Sequence, residues 1–411
     1  MKVVVVGSGG REHALAVVLG RTAEVVVTPG NPLIPGSVGT DVEDLVADGS
    51  VDLVVVGPEQ PLVAGLADRL RAGGVRVFGP GAEGAKLEGS KAYMKMIAEE
   101  AGLPTARWEA FTDADDAVDY LNAMKGPYVV KTDGLAAGKG VLVTDSLDDA
   151  VSDVRAKLGG DTFGESGRRV VIEEALTGPE VSVFAVCDGT RAVCLPAAQD
   201  FKRVGDGDAG LNTGGMGAWS PLPFLPDGFE EQVARDFIAP TLAELQQRGI
   251  DYRGVLYAGF ILTDEGPKLL EYNVRFGDPD SQVVLLRMTS DLAGLLAAAA
   301  DGDLAKAPEP TFSDDAAVLV VAASEGYPVV PRTGDAVEGL DAAASVVGVT
   351  VLGAGVGRRL DGTVTTAGGR VLNVVGIGAT TDDARSKAYG ALGRITWPGE
   401  HHRTDIAASP A

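Results

Sequence analysis

The sequence predicts a multidomain fold of mixed α/β and α+β class, and three observations predict it. Residues 1–90 alternate apolar strands with helices, as an open parallel sheet requires. Residues 128–143 read strand, glycine loop, strand inside a compact unit. From about Asp314 the pattern changes to short strands, turns and one helix. At 411 residues the chain is long enough for two to four domains.

The elements follow in order. Residues 2–6 are a continuous β-branched run, as in a strand buried on both faces of a parallel sheet. Residues 24–28, 53–56 and 75–78 read as three more strands with helices between them. The turns 29–32, 57–59 and 79–80 lie at strand ends, beyond which an open α/β sheet places its ligands. Gly7, Gly9 and Gly10 open a helix. Such a turn is a structural bend, a small-phosphate site built from free backbone N–H groups, or a dinucleotide site. Against the dinucleotide, Glu12 stands where close helix–strand packing would demand glycine. The second strand also ends in Thr28-Pro29-Gly30, with no acidic residue to hold a ribose. A phosphorylated substrate is favoured.

Residues 91–100 read as a helix, stopped by Gly102-Leu103-Pro104. In YVVKTDGLAAGKGVLV (128–143), Lys131 interrupts an apolar strand, which is costly unless its ammonium meets an anion. The loop 134–140 carries Lys139 but lacks the Ser or Thr of a Walker A loop, because Gly140 follows the lysine. It suits a flap closing over phosphates. Residues 170–174 form a strand ending in Glu173 and Glu174; the following segment offers backbone to an adenine edge and Glu180 to ribose hydroxyls. Residues 181–197 continue as two strands turning at Asp188-Gly189. The glycine-rich stretch 199–219 reads as a long, locally basic loop lining a substrate, with Lys202 and Arg203. Residues 230–248 look helical, 254–263 and 267–273 form a hairpin, and 282–301 is an Ala/Leu-rich helix. Beyond Asp314 come strands 317–322, 346–351 and 370–377 and a helix 381–392. His401 and His402 are adjacent and share no face in a regular element, so they are read as structural.

Composition excludes several classes. Hydrophobic residues at 45% and charged residues at 23% are globular values. A net charge of −23 argues against nucleic acid and anionic membrane, which must be met by Lys and Arg. Cys187 and Cys194 fit neither a disulfide framework nor a zinc spacing, and read as reduced thiols. The N-terminal apolar run is cut off by glycines, unlike a secretory signal, and the apolar run 292–300 is too short for a bilayer. The expected setting is cytoplasmic.

The stretch 269–282, LLEYNVRFGDPDSQ, organises the rest. A period of two puts Glu271, Asn273 and Arg275 on one face and Tyr272, Val274 and Phe276 on the other. A carboxylate, an amide oxygen and a guanidinium make a poor core face. They suit a hard divalent cation held against phosphate, since Mg²⁺ takes few protein ligands and leaves the rest to water and phosphate. With the Lys131/Lys139 flap and the Glu173–Glu180 segment, this describes a nucleoside triphosphate with its metal. Three histidines leave little for His-based catalysis, so the chemistry is phosphoryl transfer by positioning and charge neutralisation.

The chain resembles the phosphoribosylamine–glycine ligases, or glycinamide ribonucleotide synthetases, of the ATP-grasp superfamily. The residues carrying the resemblance are GSGGREHAL (7–15), PGN (29–31), GPEQPLVAG (57–65), SKAYMK (90–95) and VVKTDGLAAGKGV (129–141). To these add QDFKRVGDGDAGLNTGGMGAWSP (199–221), YRGVLYAG (252–259), LEYNVRFGDPD (270–280), GGRVLNV and HHRTDI. The family turn usually has Asn at Ser8 and PGNAG where this chain has PGNPL, both at the rim of the sugar site.

The resemblance implies an ATP-grasp fold in three parts. These are an N-terminal Rossmann-like domain over 1–100, an ATP-grasp domain over 101–315 with its lid over 112–180 and central part over 181–315, and a β-rich C-terminal hybrid-motif domain over 316–411. It implies Glu271 and Asn273 as ligands of Mg²⁺ or Mn²⁺. It implies an ATP site of Lys131, Gly138, Lys139, Glu173, Glu174, Leu176 and Glu180, with Glu174 and Leu176 acting through backbone. Gly9, Gly10, Glu59, Lys202, Asn212, Thr213, Gly214, Gly215, Met216, Arg275, Gly277 and Asp278 would bind phosphoribosylamine and glycine. Arg275, Lys139 and Asp278 would be catalytic. The implied reaction joins glycine to 5-phosphoribosylamine through glycyl phosphate, in a monomer. The competing enzyme reading is another ATP-grasp carboxylate–amine ligase with a different acceptor; a nicotinamide oxidoreductase is the reading from another class.

Overall fold

The computed structural model describes residues 1–135, 140–160 and 168–408. Its first sheet is parallel, with strands Glu24–Pro29, Lys2–Gly7, Leu53–Val56 and Val77–Phe78 side by side in that order. Val3, Val4 and Val5 have no exposure at all, as a strand covered on both faces should. The fourth strand is shorter than residues 75–78 suggest. Val75 N–H is spent closing the helix Leu66–Ala72, by donating to Leu70 O.

The lid is an antiparallel sheet in the order Trp108–Phe111, Val170–Glu174, Tyr128–Thr132, Val141–Thr144. It therefore takes in residues ahead of 112. Helices Ala114–Ala123 and Leu147–Leu158 pack on it, burying Leu121, Val154 and Ile172 together. The central sheet runs Ala192–Cys194, Glu180–Asp188, Arg253–Thr263, Gly266–Asn273.

Two stretches differ from their sequence reading. Residues 282–301 are not one helix: Asp280–Arg287 and Leu292–Asp301 are separated at Met288. There the chain turns extended, and Thr289 N–H donates to Thr311 O. The apolar spacing survived the break because both helices bury their leucines in the same core.

Residues 199–219 are not a long loop. Gln199–Asp200 and Gly217–Ser220 are strands of the C-terminal sheet, whose order continues Ala316–Ala323, Arg370–Gly378, Val349–Gly353. Between them, Arg203–Gly205 and Ala209–Asn212 form a hairpin. A Cβ at Gly217 would lie 2.7 Å from both the Ile406 side chain and Leu319 O, so this glycine permits close sheet packing. Arg403, 1% exposed, pins the hairpin by donating to Asp208 at 2.7 Å and to Arg203 O at 3.2 Å.

The C-terminal helix is Thr381–Leu392, joined by a second short helix, Leu340–Ala344, and a small hairpin. This part docks on the first domain. Asn31 Nδ2 donates to Gly353 O at 3.0 Å and Ser8 O at 2.8 Å, and Gly353 N–H donates to His13 Nδ1 at 2.8 Å. No helix among the described residues is long and apolar enough to cross a membrane.

Candidate active site

The strand Gly266–Asn273 is the edge of the central sheet, and it carries a bulge. Leu269 pairs with Phe260 and Glu271 with Gly259, so Leu270 is the extra residue. Strict alternation would put Leu269 on the same face as Glu271. The bulge rephases the strand, so Leu269 and Tyr272 are buried while Glu271 and Asn273 face the cleft. From Tyr272 onward the alternation holds: Val274 and Phe276 are buried, Arg275 half-buried.

Cations converge on Glu271. Burial alone would push its carboxyl up, but Lys202, Lys131, Lys91 and Arg275 bring it below the ordinary carboxylate range. Each of these cations is itself anchored. Lys131 Nζ lies 2.8 Å from Glu173 Oε1, and Lys202 Nζ 2.6 Å from Glu180 Oε2. Lys91 donates to Gly134 O at 3.1 Å. Lys202 is opposed by burial, yet Asp200, Glu180 and Glu271 hold its ammonium well above the usual lysine range. Asp200 is pushed up to about 7 by burial, against the pull of Lys202.

The other half of the site is built around Arg275 and Asp278. Glu88 Oε1 accepts from Arg275 Nη2 at 2.9 Å, and Glu59 Oε2 from Arg275 Nε at 3.4 Å. Burial opposes the Arg275 charge, but Glu88 and Glu59 outweigh it. Asp278 is gripped at both ends: Gln282 Nε2 donates to Oδ1 at 2.6 Å and Arg370 Nη2 to Oδ2 at 2.7 Å. Arg370 also donates to Gly214 O and to Asp278 O, tying 214–215 to the Asp278 turn. A Cβ on Gly9 would sit 3.8 Å from Asp278 Oδ2, so the glycine turn borders this carboxylate.

The structure thus brings together Lys131, Glu173, Glu180, Lys202 and Glu271 on one side, and Gly9, Glu59, Arg275, Gly277, Asp278, Gly214 and Gly215 on the other. Asn273 lies opposite Tyr257 in the sheet, and Thr213 N–H and Oγ1 both donate to Lys202 O. Glu174 is spent on Arg107: its backbone N–H donates to Arg107 O, and its carboxylate accepts from Arg107 N and Nε at 3.0 and 2.8 Å. Leu176 follows, half-buried. Gly138 and Lys139 lie outside the described residues.

One expectation is corrected, and packing places three further residues. The glycine turn does not leave all its N–H groups free, because Gly9 N–H donates to Glu12 Oε2 at 2.6 Å. Glu12 is buried rather than incidental: a Cβ on Gly7 or Gly57 would come within 2.6 or 2.1 Å of its side chain, so those glycines make its space. Gly10 is a packing residue, its missing Cβ occupied by Asn373 Nδ2, 2.0 Å from where it would lie. Met216 is fully buried and serves the sheet, its carbonyl accepting from Val321 N–H.

Sequence reasoning missed Lys91, Lys95, Glu88, Asp200 and Arg370. Lys91 and Lys95 stand inside SKAYMK, where two lysines at i and i+4 on one helix face were the available signal. Glu88 gave none, since its partners arrive from residues 274 and 275.

A divalent ion fits the donor set. Among the described residues no three His, Cys, Asp or Glu side chains form a metal-binding group, so protein ligation would rest on the carboxylate of Glu271 and the amide oxygen of Asn273. Two hard oxygens beside four cations suit Mg²⁺ or Mn²⁺ bridged to polyphosphate. A cavity of about 1340 Å³ lies elsewhere, lined by Arg71, Tyr93, Asp251 and Arg253. Its arginines are satisfied by neighbours, as in the pair Arg253–Asp251 at 2.9 Å, and the chemistry sits in the charged cluster instead.

Comparison with known proteins shows the family and the fold. Residues 1–88, 89–281 and 317–409 match the N domain, the ATP-grasp (A) domain and the C domain of phosphoribosylglycinamide synthetase. The chain is 48% identical to the phosphoribosylamine–glycine ligase of Caulobacter vibrioides, over 99% of this chain and 97% of that one. It is 47% identical to that of Streptomyces coelicolor over the full length of both. The crystal structure of the phosphoribosylamine–glycine ligase of Thermotoga maritima superposes with a TM-score of 0.85 at 34% identity, covering 99% of this chain and 100% of that one. The biotin carboxylase domain of a Hydrogenobacter thermophilus 2-oxoglutarate carboxylase, solved with MgADP, shares the fold at a TM-score of 0.73 and 15% identity, over 97% of this chain and 91% of that one.

Proposed function

The chain belongs to the phosphoribosylglycinamide synthetase family, and from that premise we propose how its residues divide the work. It is an ATP-dependent phosphoribosylamine–glycine ligase of de novo purine biosynthesis. The observation that carries the assignment of residues is the convergence of Lys91, Lys131, Lys202 and Arg275 on the single carboxylate of Glu271.

Lys131, Gly138, Lys139 and Glu180 hold ATP, with Lys91 added to the phosphate side; Glu174 and Leu176 contribute through backbone, and Glu173 serves the site by anchoring Lys131. Glu271 and Asn273 hold Mg²⁺ or Mn²⁺, which when bound offsets charge on the triphosphate. Arg275 holds the carboxylate of glycine, kept in place by Glu88 and Glu59. A carboxylate oxygen of glycine attacks the γ-phosphorus, the bond to the β,γ-bridging oxygen breaks, and ADP leaves. This gives glycyl phosphate. The amine of phosphoribosylamine, held near Asp278 and the Gly9 turn, then attacks the acyl carbon. Inorganic phosphate leaves, the amine loses a proton, and an amide has formed. The cations lower the repulsion between an attacking carboxylate and a polyphosphate, which is where most of the rate enhancement arises. Residues 1–100 supply the sugar side, 101–315 the nucleotide side, and 316–411 close the site through Arg370. The enzyme acts as a cytoplasmic monomer on small molecules, without nucleic acid, in keeping with its charge of −23.

ADP release measured against a panel of acids and amines tests this. Continuous ADP formation beyond one enzyme equivalent should require glycine and phosphoribosylamine together with ATP and Mg²⁺. Equal release with another acid or acceptor would sink the substrate assignment while leaving the nucleotide site standing.

A further inference from the structure

We propose that Lys95 is a positioning residue for ATP: it neutralises Glu173 from behind and so leaves the charge of Lys131 available to the triphosphate. This rests on the reading of Lys131 as a phosphate ligand.

Lys95 lies on the helix Lys91–Glu100 and is wholly buried. Its Nζ sits 2.9 Å from Glu173 Oε2, while Lys131 Nζ sits 2.8 Å from the other oxygen, Oε1. Two ammonium groups therefore share one carboxylate that is 1% exposed. A buried lysine facing a buried glutamate alone forms a neutral pair, and such a Lys131 would have little attraction for a further anion. With Lys95 added, the triad carries one net positive charge, and only Lys131 borders the cleft. Among the described residues, Lys95 forms its ion pair with Glu173.

The same ammonium links two strands of the site. It donates to Thr105 Oγ1 at 2.8 Å, and Thr105 Oγ1 donates to Leu269 O at 2.6 Å. Leu269 is the last residue before the bulge that turns Glu271 into the cleft. Leu269 N–H also donates to Pro104 O at 2.8 Å. One side chain therefore ties the lid strand carrying Glu173 to the strand carrying Glu271, fixing the distance between lysine and carboxylate across the triphosphate. The groups facing Lys95 are Glu173 and Glu174 from one lid strand and Lys131 from the next; burial lowers its ammonium to about 8, with Glu173 acting against that.

The test compares Lys95→Met, Lys95→Arg and Lys131→Met in steady-state kinetics with ATP, glycine and phosphoribosylamine varied in turn. Lys95→Met should raise the KM for ATP at least tenfold and leave the KM for glycine within twofold. Lys95→Arg should recover part of the loss. A merely structural lysine would lower Tm and the active fraction but leave the KM for ATP unchanged, and that result overturns the proposal. Lys131→Met unchanged in KM for ATP would instead overturn the nucleotide reading itself, and the proposal with it. If Lys95→Met does not fold, the wild-type enzyme still decides: its KM for ATP should climb as pH rises through about 8, and a flat profile to pH about 9.5 overturns the proposal.

Discussion

Glu88 holds Arg275 and the backbone just before it with one carboxylate. Oε1 accepts from Arg275 Nη2 at 2.9 Å and Oε2 from the backbone N–H of Val274 at 2.8 Å. Glu88 sits on the short helix Ala82–Gly89 of the first domain, so the substrate-side guanidinium is oriented from outside its own sheet. Burial pushes the Glu88 carboxyl up, against the pull of Arg275. Removing it leaves a half-buried guanidinium without its main partner. Glu88→Ala should therefore destabilise the fold by about 3 kcal/mol, the usual result of breaking a buried pair, and raise the KM for glycine. Glu88→Gln, which keeps an oxygen acceptor, should lose less. Chemical denaturation of both variants checks the order; equal stability of Glu88→Ala and the parent would remove Glu88 from this role.

Glu271→Ala should lower kcat by roughly 100-fold or more, the scale expected when a preorganised charge at a phosphoryl-transfer site is lost. The fold should survive, because Glu271 lies on an edge strand whose core contacts are made by Leu269 and Tyr272. Turnover at saturating Mg²⁺ and ATP, read beside the circular dichroism spectrum, separates the two effects. Near-normal turnover would take Glu271 out of the metal site.

Much of this was legible from sequence wherever the determinant is local. The helix Lys91–Glu100 begins where Ser90 Oγ accepts from Tyr93 N–H, and Thr381–Leu392 where Thr380 Oγ1 accepts from Asp383 N–H. Both caps can be read within four residues. Residues 199–219 could not be read that way, because Gly217 finds its partner at Val320 and Arg203 meets Arg403. The site divides along the same line. Glu271 and Asn273 share a strand and Arg275 follows it in the same alternation, so the period of two found them, although the bulge at Leu270 decides which way they point. Glu88 and Lys95 lie on helices whose spacing marks them only as buried. Their partners come from strands 80 to 190 residues away in sequence.

Stability should depend on pH through His13. Its Nδ1 accepts from Gly353 N–H, a bond that uses the lone pair of the neutral ring, and burial lowers its affinity for a proton, so its pKa falls from 6.5 to about 4. The folded protein thus keeps this ring neutral while the unfolded chain protonates near 6.5. The contribution is complete above pH 6.5 and is lost progressively as pH falls toward 4. The full span is worth about 3 kcal/mol at 1.36 kcal/mol per pH unit. Denaturation midpoints measured between pH 7 and 4 should fall accordingly, and His13→Gln, which can also accept from Gly353, should flatten that slope. An unchanged slope would show that other groups carry the acid sensitivity.

Arg370 should separate substrate binding from nucleotide binding in the opposite sense to Lys95. Its guanidinium bonds Asp278 Oδ2 at 2.7 Å, Asp278 O at 2.8 Å and Gly214 O, and with Arg11 it brings the Asp278 carboxyl below the ordinary range despite burial. A lysine offers a point charge without the planar fork, and cannot hold a carboxylate, its own carbonyl and a third oxygen at once. Arg370→Lys should therefore loosen the Asp278 turn from residues 214–215. The KM for phosphoribosylamine should rise roughly tenfold, about 1.4 kcal/mol of lost binding, because that substrate is assigned to this turn. The KM for ATP should stay within twofold, since Arg370 touches neither Lys131 nor Glu271. Initial-rate measurements with each substrate varied in turn decide it, and a KM increase confined to ATP would place Arg370 on the wrong side of the cleft.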